Sequence, residues 1–366
     1  MLELAGELDL CLPPSDGPMA QTPLKPTLLG TLLKDRLTSL EGLLADLSTV
    51  DGAKVKAEVE SVTDLLKGST ESDEHTARFG ALRPKLEQHL IQTILTAVSP
   101  TEALDVAEDL DLSAAAGEGA DAAAGSSLKQ SLTALRATYE PLAAARTELA
   151  KAAGFDPRVV LKTLKLLPGL WSSLSCAPEL KTAAAAPVGS AVKEIAEGLK
   201  GKLMEASTKA VDSGVEVPKK TQALVDLATD GTKQQELLLS TPLEGFEVVN
   251  LTEAVTAHVG AEALRHLQQE LDKDTGLDPG KVLKNTEVCT HWGAKLENPG
   301  SLPTDFQSAV DRVHTRMIQS MAEAKEAANE KKQMMLLDFA TKFDAASKPM
   351  IPAPGLRAAM EAKQKE

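Results

Sequence analysis

Aromatic residues are nearly missing from this chain. Phe, Tyr and Trp together make up 2% of 366 residues, with six Phe, one Tyr and two Trp. Any core must therefore be built from Leu, Val, Ala and Met. That composition favours helical bundles over sheets, in which aromatic and β-branched residues are enriched. Cysteine is also scarce. Cys11, Cys176 and Cys289 are odd in number and far apart, so they imply no disulfide framework. No apolar run approaches about 20 residues, and no transmembrane segment is expected. Positive charge is in deficit, with a net charge of −14. A chain this acidic is poorly suited to phosphate backbones or anionic lipid, so nucleic acid is not an expected partner. The opening MLELAGELDL lacks a basic segment followed by an apolar core, which is the pattern of neither a signal nor a transit peptide as it stands. A cytoplasmic protein, or one whose address was removed, is the expectation from those residues.

What is present is helical periodicity. Leu33, Leu37, Leu40, Leu44 and Leu47 follow a 4-3-4-3 spacing. Val55, Val59, Val62 and Leu66 follow after Asp51-Gly52, and Leu86, Leu90, Ile94 and Ala97 form a third stripe. Each predicts an amphipathic helix. Ser99-Pro100-Thr101-Glu102 reads as the capped start of another. A fold class of all-α type follows, with these boundaries: a Pro-rich extended arm at 1–27, a helical repeat at 28–112, a low-complexity linker at 113–127, repeats at 128–240 and 241–345, and a Pro-rich polar tail at 346–366.

The repeats rest on two matched blocks. ELAKAAGFDPRVVLK (148–162) recurs as ELDKDTGLDPGKVLK (270–284), with nine of fifteen positions identical. SAVKEIAEGLKGKLMEA (190–206) recurs as SAVDRVHTRMIQSMAEA (308–324), with five identities and the swaps Ile195/Val313, Leu199/Met317 and Leu203/Met321. A fainter copy at the front shares Leu37, Leu44, Asp51, Lys54, Val55, Phe79, Ile91, Gln92 and Ala97 with residues 227 positions later. Locally, Gly154 and Gly276 suit the left-handed residue that ends a helix. Asp156-Pro157 and Asp278-Pro279 suit the cap and first turn of the next. The reading is tandem helical bundles, three in number, joined by Ala/Gly-rich and Pro-rich linkers.

Candidate sites are few. Cys289, His291 and Trp292 lie within four positions, and a Cys–His pair is a possible nucleophile or ligand set. Residues two apart on a helix point about 200° from one another, so a packed Trp and a partly exposed His is the preferred reading. Trp171 and Trp292 occupy nearly equivalent places, nine and eight residues after Lys162 and Lys284, and are read as bulky plugs. His258 and His266 share a face of a helix over 251–271 but stand two turns apart, too far to share a metal unaided. His89 and His314 are read as solvated. The Met334-Met335-Leu336-Leu337 run beside Phe339 and Phe343 reads as core, and EAKEAANEKK (323–332) as a solvated helix face. Asn250-Leu251-Thr252 is an isolated sequon. No phosphate loop, nucleophile elbow or zinc-protease motif occurs, so no catalytic residue, no metal site and no enzyme activity are expected.

The order of GLDPGKVLK (276–284) with His291, LIQTILTAVSPTEALDVAEDL (90–110) and LPPSDGPMAQTPLKPTLL (12–29) resembles the repeat unit of the peridinin–chlorophyll proteins. In that family a His pair serves the chlorophyll magnesium; near that place this chain has Glu60-Ser61 in repeat one and Leu166-Leu167 in repeat two. The resemblance implies a helical relative in a thylakoid lumen, with chlorophyll or carotenoid as the ligands and His291 and Trp292 as the pigment contacts. Three readings stay open: a non-enzymatic scaffold or linker subunit extrinsic to a photosystem or light-harvesting complex and held there by protein subunits, a pigment-binding antenna protein, and a generic helical adaptor of a cytoskeletal or ciliary assembly.

Overall fold

A computed structural model describes residues 24–45, 52–68, 73–96, 103–108, 110, 128–174, 178–241, 243, 246–273, 277–352 and 355–365. Among these the regular structure is all helical. The helices are α1 (Leu24–Leu43), α2 (Gly52–Gly68), α3 (Asp73–Thr96), α4 (Leu128–Leu149), α5 (Pro157–Ser172), α6 (Pro178–Asp212), α7 (Val217–Leu238), α8 (Leu251–Leu271), α9 (Pro279–Gly293), α10 (Leu302–Glu326), α11 (Glu330–Ser347) and α12 (Leu356–Lys365). A short helical stretch lies at 103–108. None of these helices is long and apolar enough to cross a membrane.

The chain forms two compact units. One holds the described residues of 1–147, 166–192 and 238–246; the other holds 148–165, 193–237 and 247–366. Segment 128–240, expected as a single repeat, is therefore shared between them.

In the first unit α1 packs on α2 and α3, and α2 on α3. The Leu and Val stripes do this. Leu33, Leu37, Leu40, Leu44, Val55, Val59, Val62, Leu86, Leu90 and Ile94 are all buried, as their spacing requires. Each such side chain withdrawn from water contributes about 1.5–3 kcal/mol before chain entropy is subtracted. Leu47, Ala97, the 99–102 cap and the 113–127 linker lie outside the described residues.

In the second unit α8 pairs with α9 and α10, and α11 packs on α9, α10 and α12. The turns that join these helices explain the matched blocks. Glu148 stands in the last turn of α4 and Glu270 in the last turn of α8, and both are buried. An acid at a helix C-terminus opposes the helix dipole, so it needs donors of its own. Glu148 takes one from Lys151 at 2.6 Å and another from the backbone N–H of Asp156 at 2.8 Å. Glu270 takes the same two, from Lys273 at 2.5 Å and from the Asp278 N–H at 2.8 Å. Each carboxylate thus ties the end of one helix to the capping residue of the next. Asp156 accepts from Arg158 N–H, and Asp278 from Gly280 and Lys281 N–H, with proline opening both α5 and α9. Gly154 has φ +73°, the left-handed conformation expected of it; Gly276 lies outside the described residues.

The second matched block supplies the long helices α6 and α10. All three conservative swaps, Ile195/Val313, Leu199/Met317 and Leu203/Met321, occupy buried positions. Cations from these helices also cover the free carbonyls at the turns. Lys202 donates to the Lys151 carbonyl at 3.0 Å, and Arg316 to the Lys273 carbonyl at 2.6 Å.

Several expectations are corrected. Residues 24–27, expected in the extended arm, are instead the opening of α1, which begins at Leu24; the rest of the expected arm lies outside the described residues. The polar tail expected at 346–366 contains α12, whose Leu356 and Met360 are fully buried while the Asp344 carboxylate accepts from the Leu356 and Arg357 N–H groups. Run 323–332 is solvated apart from the buried Ala324, and it is not one helix. It turns at Ala327–Asn329, where Ala328 takes φ +48° and the Asn329 side chain accepts from Lys332 N–H. Met334 and Met335 face solvent, whereas Leu336, Phe339 and Phe343 are core. His89 is buried, and His314 has its Nε2 buried with no hydrogen bond, so neither is a solvated side chain.

Candidate functional site

The corner that carries His291 and Trp292 is set by the end of α9. Asp278 and Pro279 start the helix, and Val282, Thr286, Cys289 and Trp292 fall on its buried side. Trp292 is 2% exposed, and its indole Nε1–H donates to the Thr221 hydroxyl at 3.2 Å. Thr221 in turn donates to the Val217 carbonyl at 2.8 Å, so the indole is tied to the first turn of α7. This is the plug read from the sequence. Trp171 is equally buried, but its Nε1 makes no hydrogen bond.

One residue earlier, His291 lies exposed at the surface. Its ring meets the Trp292 ring edge to face, 4.7 Å between centroids at 86°. Lys295 closes the corner. Its ammonium stands 4.3 Å from the Trp292 ring centroid and 2.9 Å from His291 Nε2. Partial burial, and then the Lys295 charge, hold the His291 pKa below the ordinary histidine value. The imidazole is therefore neutral at pH 7. With Lys⁺ able only to donate, Nε2 is the acceptor and keeps its lone pair toward the ammonium. Chemically this corner offers one basic nitrogen beside an apolar ring, a fit for a single metal-centred ligand only if Lys295 swings away.

Cys289 does not join it. The thiol is completely buried, and burial pushes its pKa up to about 12. Cys289 and His291 point to opposite sides of α9, as their i, i+2 spacing demands. No thiolate–imidazole pair forms.

A second cluster was not visible in the sequence. Glu262 and His266, one turn apart on α8, meet Asp212 at the end of α6, with one ligand-type atom from each lying within 4.8 Å of the others. His266 Nε2 stands 2.6 Å from Asp212 Oδ1. Arg265 donates to Glu262 at 2.7 Å and to Asp212 at 3.3 Å, so a guanidinium already balances the two carboxylates. One turn back, His258 pairs with the Thr208 hydroxyl at 2.9 Å. The two histidines that share a face of α8 therefore serve the seam between α8 and α6. The Glu262–His266 spacing was a signal, but Asp212 lies 50 positions away in sequence and nothing local announces it.

The sequon is likewise structural. The Asn250 side chain caps α8 by accepting from Glu253 N–H at 3.0 Å, and Thr252 bonds to Thr232 at 3.2 Å.

No family model, no curated protein and no solved structure matches this chain.

Proposed function

We propose that the chain is a non-enzymatic, all-helical scaffold or linker subunit of a larger assembly, made of three tandem helical-bundle repeats joined by Ala/Gly-rich and Pro-rich linkers. The observation that carries this reading is the recurrence of one hydrogen-bonded turn. Glu148 with Asp156 and Glu270 with Asp278 use the same atoms to join helix to helix. Side chains of reactive type are committed to holding helices together: both glutamates at turns, Asp212 with Arg265 at a seam, Cys289 in the core. The resemblance to peridinin–chlorophyll proteins suggests the setting, an extrinsic subunit of a photosystem or light-harvesting complex in the thylakoid lumen.

Contact with partner subunits is supported by the adjacent Met334 and Met335 on α11, 71% and 65% exposed. Flexible thioethers on the surface suit adaptable protein contacts. The full chain, tagged and sedimented from a native extract, is expected to travel with a larger complex. Replacing both methionines by Glu should return it to the free fraction with its helix content intact. Wild-type chain that sediments alone contradicts the reading.

A second reading is a chlorophyll- or carotenoid-binding antenna protein. It is favoured by the neutral, exposed His291 nitrogen against the Trp292 ring. A native protein with visible absorption bands that are lost in His291→Ala supports it; a colourless native protein removes it.

A further inference from the structure

We propose that Met334 and Met335 form an oxidation site, at which a hydroperoxide converts both thioethers to sulfoxides and the chain then leaves its partner. The departure rests on the scaffold reading; the oxidation does not. Among the described residues the methionines divide sharply by exposure. Met317, Met321 and Met360 are core side chains, 2%, 0% and 0% exposed. Met204 and Met350 are half-buried. A Cβ on Gly293 would stand 2.7 Å from the Met350 Sδ, so that sulfur is packed against α9. Met334 and Met335 are 71% and 65% exposed. An oxidant must reach sulfur to act on it, so susceptibility follows exposure.

The pair is held on a fixed helix turn. Asn329 caps α11 by accepting from the Lys332 N–H at 2.9 Å. Gln333, immediately before the pair, is buried; it donates to the Ala324 carbonyl at 3.4 Å and accepts from Gln364 at 3.1 Å. Leu336, immediately after the pair, is core, as are Phe339 and Phe343. Both flanks of the two methionines are therefore anchored, while their own side chains stand outside the packing. Oxidation can reach them without unfolding α11, and can change them without unfolding it.

The chemistry is an oxygen transfer. The sulfur lone pair attacks the terminal oxygen of the hydroperoxide, the O–O bond breaks and the S=O bond forms. The proton of that oxygen passes to the leaving oxygen, which departs as an alcohol or, from hydrogen peroxide, as water. Sulfur gives up two electrons and the peroxide takes them. A flexible apolar arm becomes a polar one. In the free chain each new S=O group meets water, so the fold loses little. Against a partner the same groups must be desolvated, and the contact weakens.

Purified full chain, treated briefly with hydrogen peroxide, digested and mapped by mass spectrometry, tests the site. Met334 and Met335 should each gain one oxygen at least about tenfold faster than Met317, Met321 and Met360, with helix content unchanged. Equal rates, or a modification that spares the pair, overturn the site. The oxidised chain, freed of peroxide and added to native extract, tests the departure. It should stay in the free fraction, whereas untreated chain and a peroxide-treated Met334→Leu/Met335→Leu variant should sediment with the complex. Sulfoxide reductases of both epimer specificities should return the oxidised chain to the complex. Oxidised chain that still joins the complex overturns the departure and leaves the scaffold reading intact. Untreated chain that sediments alone removes that reading and the departure with it, and the peptide map still decides the site.

Discussion

The carboxylate of Glu270 accepts the backbone N–H of Asp278 at 2.8 Å, eight residues further along, and Glu148 does the same to Asp156 at the same distance. The bond spans the break between two helices and leaves each buried carboxylate satisfied. Removing Glu270 orphans the Asp278 N–H and frees Lys273. Glu270→Ala should cost about 1–3 kcal/mol in urea unfolding, with the m-value unchanged. Glu148→Ala should also destabilise the chain. An effect at one site and none at the other would mean that the two turns are not equivalent.

Trp292 fills the end of α9 and donates to Thr221 at 3.2 Å. Trp292→Ala should destabilise by roughly 3–5 kcal/mol, because a large cavity replaces the ring. Trp292→Phe should cost less, and Thr221→Val should cost little in that background, since the hydroxyl's indole donor is already gone. A double-mutant cycle reads the coupling directly.

Gly231 lies where α7 meets α5, α6 and the start of α8. A Cβ there would stand 2.6 Å from Leu251 Cδ1 and 3.1 Å from Leu161 Cδ2. The helix propensity of alanine favours Gly231→Ala by about 1 kcal/mol. Overpacking should outweigh it and leave a net loss of about 1 kcal/mol. Calorimetry showing a raised Tm would mean that Leu251 turns aside freely.

The Cys289 thiol, completely buried and with its pKa pushed up to about 12, should resist thiol reagents at pH 8 in the folded chain. Labelling should follow global unfolding and accelerate with urea as the core opens. Rapid labelling without denaturant would contradict the burial.

Stability should fall in acid in two separate windows. His89 and His314 are held below 6.5, mainly by burial, so the unfolded chain takes up protons first as pH drops below that value. The pKa of Glu148 is lowered by the Lys151 bond and then by the Asp156 N–H. For Glu270, burial pushes upward, but the Lys273 and Asp278 bonds outweigh it. Their contribution is complete above the ordinary glutamate value of 4.5 and is lost as pH falls through the lowered values. Unfolding free energy measured from pH 8 to pH 3 should show both steps. Glu270→Gln should diminish only the lower one.

The helical stripes were legible because burial follows the 3.6-residue period. Leu33, Leu37, Leu40 and Leu44 needed no partner to be recognised. Asp-Pro was legible because capping is local. The role of Glu148 and Glu270 was not: both stood in the matched blocks, but their acceptors act on a backbone N–H that no side-chain pattern reveals. Helix α12 was missed because ten residues carry one i, i+4 apolar pair, Leu356 and Met360, beside a proline-rich approach. The turn at Ala328 was missed because it uses neither glycine nor proline, and only Asn329 hinted at it. His89 could have been placed, since it stands three residues after Leu86 on a buried stripe. The Asp212–Glu262–His266 cluster could not, because only tertiary packing brings α6 to α8.

The central claim, a colourless helical subunit that works by joining other proteins, is tested most directly on the chain isolated under native conditions. Size and visible absorption should be recorded on the same fraction. The account predicts co-elution with a larger complex and no absorption band belonging to this chain after it is released. A free monomer carrying a stoichiometric visible chromophore would contradict it.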